Sequence, residues 1–185
     1  MRAWDAAFVM DPILAAGRLP RLAELAMRDA IVQALARGRL TPRALVDEAL
    51  VRFEGAAARR IGSGIRPALL FAERDRIVRE LRSFFDGRLS ARLCALERRA
   101  FVALGAPAAP FDAIVKSRRG SYGVVFRRLP ADGRRLEVLR RARAALQKTR
   151  TPVDGVLLYD FVRARATLVL DQPGAYRVDG YLRAS

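Results

Sequence analysis

The chain has 185 residues, 52% of them hydrophobic, with 35 basic residues against 19 acidic ones and a net charge of +16 at pH 7. This describes a folded protein, long enough for one well-buried domain, whose charge favours a polyanionic partner: DNA or RNA first, an anionic membrane second. With no histidine and a single cysteine, Cys94, the chain cannot form a Ser-His-Asp triad, a Cys-His pair, a His-ligated metal site, an intrachain disulfide or a multi-cysteine zinc site.

The opening stretch, MRAWDAAFVMDPILAAGRLP, carries a short apolar run broken by Asp5 and Asp11. That argues against a signal peptide, and no run of about 18 apolar residues exists to span a membrane, so a cytoplasmic location is expected. Residues 1 to about 18 read as a short helix or ordered arm anchored by Trp4, Phe8, Ile13 and Leu14. Pro20 suits a first helical position, and Leu22, Leu25, Ala26, Val32, Leu35 and Ala36 follow on helical spacing up to Gly38. Thr41-Pro42 opens the next helix, with Leu45, Val46, Ala49, Leu50 and Phe53 on one face and Gly55 as its stop. This pair reads as a helical hairpin supporting the core rather than a helix-turn-helix reader. Neither helix gathers basic and amide side chains on one face, as readout in the major groove requires.

The segment GAAARRIGSGIRP reads as a linker. A long third helix is expected from about Ala68 to Phe85, with Leu70, Ile77, Val78, Leu81, Phe84 and Phe85 inward and a charged opposite face; Asp86-Gly87 breaks it. A fourth helix is expected from about Ser90 to Arg99, with Cys94 as a core residue. The period then changes to that of strands. Phe101 to Leu104 is followed by the breaker GAPAAP and by a hairpin, Phe111–Lys116 and Tyr122–Arg128, around the turn Ser117-Arg118-Arg119-Gly120. A helix over about Gly133 to Lys148 and the strands GVLLYDFV, ATLVL and YRVDGYL complete the chain.

The expected fold is therefore α+β: a helical region over residues 1–87, packed on an α-β-β-β-α-β core with additional C-terminal strands over residues 88–185, the whole forming one unit. The stretch LERRAFVALGAPAAPFDAIVKSRRGSYGVVFRR within that core resembles the PD-(D/E)XK nuclease superfamily, in particular its RecB-like exonuclease branch, over about residues 90 to 170. The resemblance implies that Asp112 stands for the metal-binding Asp and Glu97 for the upstream acid. Where the family has Asp/Glu-x-Lys, this chain has Phe126-Arg127-Arg128. Phe126 cannot ligate a metal, and a guanidinium stays protonated and cannot serve as a base. Lys116, four residues beyond Asp112, lies about 13 Å along the strand and cannot share its water. A second alignment places Tyr159–Asp171 on the acid-bearing strands of small nucleases related to mismatch-patch repair endonucleases, with Asp160 and Asp171 as the acids. Asp is also common at the ends of β-hairpins.

The stronger signal is charge. Lys116, Arg118, Arg119, Arg127, Arg128, Arg134, Arg135, Arg140, Arg141, Arg143, Lys148 and Arg150 face only Asp132 and Glu137 in 35 residues. Solvated faces normally mix signs, and arginine forks phosphate bidentately, so these twelve residues form the candidate nucleic-acid-binding set. Tyr122 and Phe126 are candidate stacking platforms, or else sheet and core residues. The reading is a nuclease-like module without catalysis, metal or cofactor. It binds DNA or RNA through the backbone as a subunit of a larger nucleic-acid-processing or defence complex, with no membrane contact. Residual acids for a divergent metal-dependent nuclease are Glu97, Asp112 and Asp160; a third alternative is a basic assembly protein on an acidic protein partner.

Overall fold

The computed structural model describes residues 12–38, 41–61, 65–94, 101–103, 111–117, 120–129, 140, 144, 153–169 and 175–177. Helices come first among them: α1 (Pro12–Arg37), α2 (Pro42–Ile61), α3 (Pro67–Phe85) and α4 (Arg88–Cys94). The strands follow: β1 (Phe101–Ala103), β2 (Ala113–Ser117), β3 (Gly120–Arg127), β4 (Gly155–Asp160), β5 (Arg165–Val169) and β6 (Ala175–Arg177). The class is mixed α+β, helical in the N-terminal half with a mixed sheet after it. No described helix is long and apolar enough to cross a membrane.

Two helices run through the residues expected to bound them. Pro20 lies inside α1 instead of opening it. A proline there removes one backbone donor, but Leu19 before it and Leu22, Ala23 and Ala26 after it are all buried in one core, and that shared burial carries the helix across. Gly55 does not end α2. The stripe Leu45, Ala49, Phe53 continues at four-residue spacing through Ala57 and Ile61, all buried. A mid-helix glycine costs about 1 kcal/mol against alanine, less than the roughly 1.5–3 kcal/mol gained by burying an isoleucine. Most of the expected linker is therefore helix. α3 matches its expected span to within a residue, with Arg66 extended before Pro67 as a pre-proline residue must be.

The sheet has the order β1-β2-β3-β4-β5-β6. β3 and β4 are parallel, and every other neighbouring pair is antiparallel. A parallel pair requires a crossover between its strands, and within residues 130–152 the two described residues, Arg140 and Ala144, are helical. The remainder of the helix expected there, and residues 95–99 of the expected fourth helix, lie outside the described residues. The β2–β3 hairpin closes on Ser117↔Gly120. Gly120 has φ 138°, and a Cβ on it would collide with the Asp154 carboxylate, whose Oδ2 accepts the Ser121 N–H at 2.7 Å.

Alternation along the strands sends residues to two cores. Ala113, Val115, Tyr122, Val124, Phe126, Leu157, Tyr159 and Leu168 join the residues of α1–α4 in one cluster, so the helices pack on this face. Phe111, Ile114, Val125, Leu129, Val156, Leu158 and Val169 form the other. All six residues of β4 are buried, as a strand covered on both faces should be. Aromatic rings centre the helix-side core: Phe84 stands edge-on to Tyr159 at 5.2 Å and to Phe126 at 6.1 Å, and Phe126 stacks on Phe161 at 6.1 Å. Phe126 and Tyr122 are thus core residues, not stacking platforms for bases.

Candidate functional site

Where β3 leaves the sheet, Arg127 and Arg128 meet acids from α1 and α3 and Asp112, the residue just ahead of β2. Arg128 follows Phe126 on the helix side. Its backbone N–H donates to Glu24 Oε2 at 3.0 Å, and its Nε donates to Glu80 Oε2 at 2.7 Å. Nη1 pairs with Glu73 Oε1 and also reaches the Pro20 carbonyl at 3.2 Å. The side chain is 9% exposed, and Nη2 is buried without a hydrogen-bond partner. One arginine thereby ties β3 to α1 and α3 at once.

Arg127 turns to Asp112. Its Nη1 donates to Asp112 Oδ2 at 3.1 Å and to the Phe126 carbonyl at 2.6 Å, while its Nε lies 3.9 Å from Glu24 Oε1. Asp112 also accepts the Phe126 N–H on Oδ2 at 2.7 Å, and Arg28 Nη1 stands 3.5 Å from Oδ1. Both carboxylate oxygens therefore face guanidinium groups, and one also takes a backbone amide. Burial pushes the Asp112 carboxyl above the usual aspartate range, against the pull of Arg127 and Arg28. Burial likewise raises Glu80 despite its bond to Arg128. The Tyr159 hydroxyl, buried without a partner, is also pushed up by burial, with Asp160 and Glu80 adding to the effect.

Asp160 has a different set of partners. Its Oδ1 accepts the N–H of Leu129 at 3.2 Å and of Val162 at 3.0 Å, and its Oδ2 takes Arg163 Nη1 at 2.7 Å. This carboxylate holds the tight turn from β4 to β5, the role common to aspartate at hairpin ends. It is aligned with Arg127 across β3 and β4, yet its hydrogen bonds go to Leu129, Val162 and Arg163, while those of Asp112 come from Phe126 and Arg127. Among the described residues no group of three or more His, Cys, Asp or Glu side chains is placed to hold a metal ion. Neither a family model, nor a curated protein, nor a solved structure matches the chain.

The expected residues thus fall into three groups. Asp112, Asp160, Arg127 and Arg128 sit at one end of the central strands, and Arg128 is turned inward. Lys116 and Arg140 are exposed. Glu97, Arg118, Arg119, Arg134, Arg135, Arg141, Arg143, Lys148, Arg150 and Asp171 lie outside the described residues. Sequence reasoning missed Glu24, Glu73, Glu80 and Arg28. A signal was present, since Glu73, Ile77, Glu80 and Phe84 share one stripe of α3 and all four are buried.

Proposed function

We propose that this chain is a non-catalytic nucleic-acid-binding protein built on a nuclease-like sheet, gripping DNA or RNA by its phosphates as a cytoplasmic subunit of a larger nucleic-acid-processing or defence complex. The observation that carries the non-catalytic reading is the state of Asp112. The carboxylate that the resemblance assigns to a metal is held by Arg127, Arg28 and the Phe126 amide. A hard cation would have to displace both guanidiniums, and Phe126 and Arg128 occupy the places where an acid and a lysine are needed.

The connectivity supports the nuclease-like part: a three-strand meander, then a strand parallel to its third member. The surplus of +10 over residues 116–150 supports the partner. If that cluster neutralises about six phosphates, the logarithm of affinity for duplex DNA falls with the logarithm of salt at a slope of about −5. Fluorescence anisotropy across a salt series measures it; a slope shallower than about −2, or no binding at low salt, removes nucleic acid as the main partner. Incubation of plasmid, single-stranded DNA and RNA with Mg²⁺ or Mn²⁺ is expected to leave all three intact. Metal-dependent cleavage lost in Asp112→Ala would instead make the chain a nuclease.

A further inference from the structure

Between α3 and the turn after β4 lies a pocket of about 350 Å³, lined by Arg76, Arg79, Glu80 and Ser83 of α3, by Arg128, and by residues 161–162 of the turn. Arg76, Arg79 and Ser83 are spaced three and four residues apart, which puts them on one face of the helix, and all three are exposed. Their charges are unevenly engaged. Arg76 pairs with Glu73 at 3.2 Å, and Arg128 holds both Glu73 and Glu80. Among the described residues Arg79 has no ion-pair partner. The site therefore has three guanidiniums against two carboxylates, and the free one, Arg79, is exposed. Arg128 also carries an Nη2 that no acceptor satisfies. The lining also has an apolar part, since Val162 contributes to it and is 59% exposed.

We propose that this pocket takes one phosphate group of a nucleotide, with Arg79, Arg76 and the Ser83 hydroxyl as donors and the sugar or base against Val162. The proposal rests on the nucleic-acid reading and adds to it a defined subsite on α3. Forked guanidinium donors beside a hydroxyl suit the several oxygens of a phosphate. The volume falls in the range of small-molecule sites, about 300–1,000 Å³, so there is room for more of the nucleotide than its phosphate alone. The phosphate can belong to a nucleic-acid backbone or to a free nucleotide.

The test compares Arg79→Glu in the full chain with Arg43→Glu, which makes the same charge change at an exposed position on α2. Both residues are exposed, so thermal unfolding should show both variants folded. The probes are a labelled 20-mer single strand and duplex, read by anisotropy, and AMP and inorganic phosphate, read by calorimetry. Arg79→Glu is expected to weaken oligonucleotide binding at least about tenfold and to reduce the salt slope by about 1, with Arg43→Glu changing affinity by less than about twofold. Binding of AMP or phosphate that Arg79→Glu abolishes, without oligonucleotide binding, sustains the pocket and overturns the backbone-binding reading. Equal effects of the two variants on oligonucleotides and on AMP overturn the pocket while leaving nucleic-acid binding in place. A wild-type chain that binds none of the probes at low salt overturns both.

Discussion

Arg128→Ala tests the network at the end of β3. The substitution leaves Glu73 and Glu80, both nearly buried, facing each other without their shared cation. Breaking a buried ion pair from one side costs about 3–5 kcal/mol, and the lost bond to the Pro20 carbonyl adds about 1 kcal/mol. A loss of about 4–6 kcal/mol is a large share of the roughly 5–15 kcal/mol that a domain commands. For a chain of this length each kcal/mol lowers Tm by about 2–4 °C, so the midpoint should fall by about 8–24 °C. Denaturant unfolding followed by circular dichroism at pH 7 measures the free energy directly.

Two companions isolate the charge from the packing. Arg128→Met combined with Glu73→Gln and Glu80→Gln removes all three charges at similar volume and is expected to recover all but about 1–2 kcal/mol of the loss. Acidification should also soften Arg128→Ala. Without the guanidinium the Glu80 carboxyl rises further above its unfolded-state value, so the penalty holds above that folded pKa and is relieved as pH falls through it. A cost below about 1 kcal/mol for Arg128→Ala, or a triple variant no better than the single one, refutes the idea that this arginine balances two buried acids.

The other expectations are narrower. Asp112 has a raised folded-state pKa, so the wild type gains stability from this group as pH falls from that value towards the ordinary one; Asp112→Asn should flatten this part of a Tm profile, on the alkaline side of about pH 4. An unchanged profile would mean that burial does not govern this carboxyl. Gly123→Ala would set a Cβ 2.6 Å from the ring of Phe111, so overpacking should cost about 1–3 kcal/mol by denaturant unfolding. Pairing it with Phe111→Leu should return part of that loss if the ring is the obstacle.

Much of the framework was legible because local rules and tertiary packing agree there. Apolar stripes and the Asp86-Gly87 break define α3, the change to period two announces the sheet, and the Ser117–Gly120 turn sets the hairpin register. Where they disagreed, burial decided. α1 passes Pro20 and α2 passes Gly55 because Leu19, Ala57 and Ile61 have a core to enter, and a core exists only once distant elements have met. The candidate site divides in the same way. The chain alone names Asp112, Phe126, Arg127 and Arg128 and the chemistry they lack, because what a side chain can ligate or donate is written in its structure. It does not tell that Arg128 faces inward, since an arginine is solvated or buried according to whether carboxylates await it. Those carboxylates, Glu24, Glu73 and Glu80, lie 104, 55 and 48 residues away in sequence. Only the packing of α1 and α3 across the sheet brings them to one arginine, Glu73 and Glu80 to its guanidinium and Glu24 to its backbone N–H.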